Sequence, residues 1–216
     1  QGRLSKPVNL DLEASYRCDP DLVAKKVIPY SDELRSHIRA ILHMELRDRD
    51  KTLPDLQKWW SARWLWCVNG SQTTASSRAM GIDPKRNAVT HDQDYRRMAS
   101  EALEREPLTA WDSRTNVSKS IKLENGKERA IFACDTNSYF AFSWILSAAE
   151  KVWRGERVVL NPGVGGHLGI AKRVQGAQRG GGVNLMLDYD DFNSHHSTQV
   201  QQCVFDELCQ GRLSKP

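Results

Sequence analysis

Apolar residues recur every three or four positions across 32–47. Leu34, Ile38, Ile41, Leu42 and Leu46 form one helical stripe, and Ser31 or Asp32 can cap its start. A second helix is expected over 53–68, where Trp59, Trp60, Trp64 and Trp66 recur at helical spacing and Asn69-Gly70-Ser71 ends the run. Their spacing favours core packing over stacking on bases. A third helix, polar on one side, is expected over 92–105, so the first hundred residues read as mostly helical. Beyond them the pattern changes. Residues 118–135 carry Lys119, Lys122, Lys127 and Arg129 before the apolar run Ala130-Ile131-Phe132-Ala133, which predicts a basic loop or hairpin entering a short strand. A helix is expected over 137–152, then glycine-rich stretches at 162–169 and 180–182. Val183-Asn184-Leu185-Met186-Leu187 reads as a compact strand running into Asp188-Tyr189-Asp190-Asp191-Phe192-Asn193, and 197–208 is compatible with a last helix.

The 216 residues suffice for one sizeable domain or two small ones, and 39% hydrophobic with 27% charged residues is an ordinary globular composition. A net charge of +4 permits a polyanionic partner without demanding one. Five cysteines without a Cys-x-x-Cys pair fit neither a zinc site nor a disulfide framework, and reduced, mostly buried thiols in a cytosolic compartment are expected. No apolar run approaches the roughly 20 residues that span a bilayer, and the first residues do not resemble a signal peptide. The opening Gln-Gly-Arg-Leu-Ser-Lys-Pro returns identically at 210–216, which reads as an overlap at the ends of an assembled coding sequence and is set aside.

Two segments carry candidate chemistry. Three carboxylates within four residues (Asp188, Asp190 and Asp191) repel one another, and a hard cation such as magnesium offsets that repulsion. A centre for phosphoryl transfer needs such a carboxylate together with others from elsewhere in a fold, although a solvated acidic turn accounts for the run equally well. In Lys122-Leu123-Glu124-Asn125-Gly126-Lys127-Glu128-Arg129, the Asn-Gly pair favours a tight turn. If the flanks pair, Lys127 and Arg129 share one face and can hold a triphosphate; a surface hairpin of mixed charge is the plainer alternative.

Together the segments resemble a known family. Leu187-Asp188-Tyr189-Asp190-Asp191-Phe192-Asn193-Ser194-His195-His196-Ser197 closely resembles motif A of the RNA-dependent RNA polymerases of totivirus-like double-stranded RNA viruses. The run Gly-Lys-Glu-Arg-Ala-Ile-Phe-Ala-Cys-Asp-Thr-Asn-Ser-Tyr-Phe within 122–142 resembles their motif F, in the right order along the chain. Trp64-Leu65-Trp66-Cys67-Val68-Asn69-Gly70-Ser71 and Val159-Leu160-Asn161-Pro162-Gly163 are similar to softer motifs of the fingers.

The resemblance implies roles. Asp188 would bind both magnesium ions of a two-metal mechanism (manganese is a possible substitute), and Asp191 would assist metal delivery. Lys127 and Arg129 would contact the incoming triphosphate, and Lys122 would contact that group or the RNA backbone. Asn193 stands where many such enzymes carry an acid facing the ribose 2′-hydroxyl; an amide can still hydrogen-bond it. The family carries Gly-Asp-Asp after motif A, and no Gly-Asp-Asp occurs in this chain. The expectation is therefore an enzyme fragment of α/β class, a right-hand polymerase piece with mostly helical fingers and the first palm strand. Its divisions would be 1–115 and 116–180 for the fingers, the second holding motif F, 181–209 for the start of the palm, and 210–216 for the duplicate. Alone it should polymerise nothing. A non-catalytic RNA-binding fragment or a truncated relic are the alternatives. Expected partners are RNA template and product, ribonucleoside triphosphates and viral capsid protein, without a membrane, in viral particles in the host cytoplasm.

Two other readings fail. The 163–172 stretch lacks the Gly-Lys-Ser/Thr of a phosphate loop and has Leu168 where G-x-G-x-x-G needs glycine, so a flexible loop of the fingers is expected there. His195 and His196, adjacent in the chain, would rarely share one metal.

Overall fold

The structure is a computed structural model that describes residues 7–46, 53–82, 94–124, 127–155, 158–160, 166–189 and 192–209. Its elements in chain order are α1 (Leu10–Cys18), α2 (Pro20–Ala24), α3 (Asp32–Glu45), α4 (Leu56–Ser61), α5 (Arg63–Trp66), β1 (Ser71–Gln72), α6 (Thr74–Ala79), β2 (Asp94–Tyr95), α7 (Arg96–Glu101), β3 (Val117–Glu124), β4 (Lys127–Cys134), α8 (Thr136–Val152), α9 (Gly166–Arg179), a 3-10 turn η1 (Phe192–His195) and α10 (Thr198–Cys209). The described residues are thus mainly helical, with two small antiparallel sheets, β1–β2 and β3–β4. Two compact units form, one from Gln1–Pro20 with Leu53–Ser147, the other from Asp21–Thr52 with Ala148–Lys215. Among the described residues no helix is long and apolar enough to cross a membrane.

The first unit is built on its tryptophans. Trp59, Trp60, Cys67 and Phe140 are buried together, with Leu56, Trp66, Met80, Leu103 and Trp144 packed against them. The single helix expected over 53–68 is not formed; it breaks at Ala62, whose N–H turns back to the carbonyls of Trp59 and Trp60. Seven residues of unbroken helix would put Trp66 about 10 Å along the axis from Trp59. The break instead stacks the two rings at 3.8 Å and 14°. Trp60 meets Phe140 edge-on at 5.0 Å. Buried indoles need partners for their N–H groups. Trp60 donates to the Leu103 carbonyl, Trp66 to that of Trp59 and Trp144 to that of Pro54.

The helix expected over 92–105 is confined to α7. Asp94 and Tyr95 ahead of it pair with Gln72 and Ser71, and residues 92–93 lie outside the described range. The hairpin expected over 118–135 is present, eight residues in each strand, from Val117↔Cys134 to Glu124↔Lys127. Asn125 and Gly126, read from the sequence as its turn, lie outside the described residues. α8 begins one residue before its expected start, where Asp135 accepts the Ser138 N–H through Oδ1.

In the second unit α3 ends two residues short of the expected 47, and Ser31 caps it by accepting the Leu34 N–H. Leu42 of α3, its C-cap Leu46, and the Cys203 and Leu208 side chains of α10 are buried. Glu207 of α10 joins the two helices, accepting from Arg39 Nη2 at 2.7 Å and Arg35 Nε at 3.3 Å. Glu45 is fully buried and accepts the Val158 N–H. α10 forms within a residue of its expected bounds.

Two expectations are overturned. The flexible loop expected over 163–172 is, from Gly166 onward, the helix α9; residues 161–165 lie outside the described range. Gly169 and Gly176 weaken a helix by about 1 kcal/mol each without forbidding it. The real stop is the run at 180–182, where Gly181 takes φ +80° and the Gly182 N–H closes on the Ala177 carbonyl at 2.8 Å. The palm strand expected over 183–187 is not formed: none of the described residues pairs with it, and Val183, Leu185, Met186 and Leu187 are all exposed. A strand's backbone is satisfied by neighbouring strands, and an apolar sequence without a neighbour has nothing to pair with. The thiols also divide differently from expectation. Cys67 and Cys203 are buried, Cys134 is half-buried, and Cys18 and Cys209 are exposed. The repeated 210–216 segment lies outside the described residues.

Replacing Trp60 with alanine should lower the unfolding free energy of the first unit by about 3–5 kcal/mol, read from the denaturant midpoint. In the second unit the Arg39 hydrogen bond leads in holding Glu207 down, from an ordinary 4.5 to about 2, against the opposing pull of burial and with help from Arg35. A depressed carboxylate stabilises the fold above its unfolded pKa, and that stability is lost as pH falls through the folded value. Glu207→Gln should therefore lower the thermal midpoint at pH 7 and lose its effect as pH approaches 2; an equal deficit at both ends would refute the ion-pair account.

Candidate functional site

The hairpin has two unlike faces because opposed residues of an antiparallel pair point the same way. One face is occupied by the N-terminal segment. Arg17 of α1 sits 5.0 Å from the Phe132 ring, Lys119 pairs with Asp11, and the Val8 N–H donates to Glu128 at 2.9 Å. The hydrogen bond from Lys119 holds the Asp11 carboxyl below its usual range. The other face presents Lys122 opposite Arg129 and Glu124 opposite Lys127. Lys122, Lys127 and Arg129 are all exposed there.

Glu124 lies among these cations. Its carboxylate meets Lys122 Nζ at 2.9 Å and Arg129 Nε at 3.0 Å. The Lys122 hydrogen bond is the main reason its pKa is lowered, with Arg129 and Lys127 adding to it. Lys127 has no ion pair among the described residues. The face therefore carries three cations and one internal counter-ion, a net excess of two positive charges on flexible side chains. It suits a multiply charged phosphate, which can outbid one carboxylate for Lys122 and Arg129. Sequence reasoning placed Lys127 and Arg129 together but missed Glu124 as their partner. The signal was available: a two-residue connection puts residue 124 directly opposite 127.

The acidic segment belongs to the second unit. Asp188 is exposed, and its Oδ1 accepts the Tyr189 N–H at 2.9 Å. Asn193 is exposed on η1, while Asp190 and Asp191 lie outside the described residues. The two histidines after Asn193 are well anchored. The Ile28 N–H donates to the His195 carbonyl at 3.0 Å, and His195 Nδ1 lies 3.1 Å from the Lys26 carbonyl. His196 Nδ1 instead reaches the Phe192 carbonyl, so the two imidazoles take separate partners. Thus Lys122, Lys127 and Arg129 are gathered on one face, and Asp188 and Asn193 sit in another unit.

Asp188 is the right kind of donor for magnesium, a hard oxygen at the surface. Among the described residues no group of three or more His, Cys, Asp or Glu could hold a metal ion. The described donor set is thus not a metal centre, and no chemical step follows from it.

Comparisons with known proteins agree on one family. The family model described as viral RNA-directed RNA-polymerase matches residues 1–216. The chain is 52% identical over 207 residues to a probable RNA-directed RNA polymerase of Helminthosporium victoriae virus-190S, covering 96% of this chain and 24% of the relative. It is 38% identical over 209 residues to a probable RNA-directed RNA polymerase of Leishmania RNA virus 1 - 1 (isolate Leishmania guyanensis), covering 96% of this chain and 23% of the relative. The chain therefore spans about a quarter of the length of the curated relatives it matches. No solved structure matches it.

The internal counter-ion gives an electrostatic test. Glu124→Gln should tighten binding of inorganic triphosphate about 2- to 5-fold at low salt, the scale of an exposed ion pair, and the gain should vanish near 1 M salt. Isothermal titration decides it. Weaker binding by the variant would mean that Glu124 organises the cations rather than competing for them.

Proposed function

The chain belongs to the viral RNA-directed RNA-polymerase family, and we propose that it is the nucleotide-gripping part of the fingers, with the first acidic motif of the palm, in a right-hand enzyme that adds ribonucleotides to an RNA 3′ end. The observation that carries this reading is the exposed hairpin face on which Lys122, Lys127 and Arg129 converge. Such a face would hold the triphosphate of an incoming ribonucleotide and offset charge developing on the departing pyrophosphate. Arg129 offers a planar fork for two phosphate oxygens, while the two lysines act as point charges.

Asp188, assisted by Asp191, would hold magnesium in the complete protein together with carboxylates from outside this chain. Bound magnesium would neutralise phosphate charge and favour the attacking 3′-oxygen. Asn193 would hydrogen-bond the ribose 2′-hydroxyl and so prefer ribose over deoxyribose. RNA template and product would be the other partners. A second reading concerns the chain by itself. Asp188 stands outside any strand, and among the described residues no group of three or more His, Cys, Asp or Glu could hold a metal ion. The isolated chain would therefore bind phosphate and RNA without incorporating nucleotides.

In the complete polymerase, Asp188→Ala should abolish templated nucleotide incorporation while RNA binding persists, and Arg129→Gln should raise KM for ribonucleotides about 10-fold or more. Primer extension with a parallel binding assay checks both. Incorporation retained by Asp188→Ala would sink the assignment.

A further inference from the structure

We infer that the exposed indole of Trp64, with Arg63 and Arg97 beside it, is a docking point for single-stranded RNA on the first unit, formed by residues other than those of the hairpin face. The inference rests on the reading that this chain handles RNA. Its physical basis is independent of the hairpin.

Trp64 is unlike its neighbours in sequence. Trp59, Trp60 and Trp66 are engaged in the core, whereas Trp64 is 39% exposed. Its indole N–H has no partner among the described residues. Beside it Leu65 is 90% exposed, and Val68 and Met98 are exposed as well. Core packing does not account for these exposed apolar side chains on α5, just after it and on α7.

Its charge identifies the partner. The Arg63 guanidinium lies 5.1 Å from the Trp64 ring centroid and that of Arg97 lies 5.7 Å away. Both are held by backbone carbonyls rather than by acids. Arg63 donates to Ser100 and Trp60, and Arg97 donates to Trp64. Glu101 closes α7, and among the described residues it forms no ion pair with these arginines. Among the described residues no ion pair neutralises either guanidinium, and both lie over the Trp64 ring.

The platform is also rigid. Arg96 lies over the Tyr139 ring at 3.9 Å, and its N–H donates to the Gly70 carbonyl at 2.8 Å. The Arg96 guanidinium packs close over Gly70, within 2.9 Å of where a Cβ would stand. Ala99 and Ser100 of the same helix are buried. A base stacked on Trp64 with its phosphate on Arg97 would meet groups already in position, which lowers the entropic cost of binding.

Unpaired RNA alternates flat bases with phosphates, and this surface alternates an indole with guanidiniums. Duplex RNA hides its base faces and would gain only the charge contact. A protein partner would need acidic side chains around an apolar centre, a less direct match to two cations against a part-exposed indole.

The test is fluorescence anisotropy of a labelled 12-mer oligouridylate titrated with the full 216-residue chain. Trp64→Ala should weaken binding about 5- to 100-fold, the range expected for losing one base-stacking contact, and Trp64→Phe should recover most of it. Arg97→Gln should weaken binding and reduce the slope of log K against log salt by about 0.7. Because both side chains are exposed, circular dichroism should show an unchanged fold. Wild-type affinity in both Trp64→Ala and Arg97→Gln overturns the inference and leaves the patch for a protein. The proposed function fails separately, if Arg129→Gln leaves triphosphate binding unaltered.

Discussion

Stacking Trp66 on Trp59 forces the chain to break at Ala62, and much of the first unit follows from that break. A continuous helix would carry the two rings apart along its axis. With the break, three indoles and Phe140 close into one cluster whose ring contacts add about 0.5–1.5 kcal/mol each beyond simple burial. The same turn leaves Trp64 outside the cluster. It also brings the segment after α5 round to Gly70, whose carbonyl receives the Arg96 N–H at the start of α7. The Leu103 carbonyl beyond α7 then takes the Trp60 indole N–H, which ties the far end of this layer back to the core. Core packing and the exposed arginine–tryptophan surface are thus two results of one local geometry.

The hairpin follows a different logic, in which charge is sorted by face. Lys119 and Glu128 are on the side taken by the N-terminal segment, where each has a partner from that segment. The other face keeps Lys122, Lys127 and Arg129 with only Glu124 to balance them. Exposed ion pairs contribute little to stability, so this arrangement is poorly explained as a device for holding the hairpin together. What it does provide is three exposed cations held near one another around a single carboxylate.

Much of this was legible in the sequence wherever a single local rule decides the outcome. The apolar stripe of α3, its Ser31 cap, the bounds of α8 and α10, and the shared face of Lys127 and Arg129 all follow from periodicity or register. The failures occur where tertiary contacts overrule local preference. Nothing within 53–68 announces the break at Ala62, because each residue there tolerates helix and only the ring stack selects the turn. α9 was obscured because Gly169 and Gly176 read as loop residues, while the decisive glycines lie at 180–182. Trp64 could not be separated from its neighbours by spacing alone. Its exposure is a consequence of the break.

The acidic segment shows a further limit. Val183-Asn184-Leu185-Met186-Leu187 has the composition of a buried strand, yet it stands exposed. A strand of this kind does not specify itself, since its hydrogen bonds and its apolar contacts both come from neighbours. The placement of Asp188 has the same dependence. Among the described residues no strand pairs with 183–187, so no sheet fixes the backbone ahead of it. The hairpin needs no such help, because β3 and β4 satisfy each other and the N-terminal segment covers one of their faces. The hairpin is thus specified by contacts within its own unit, whereas the backbone ahead of Asp188 has no strand partner among the described residues.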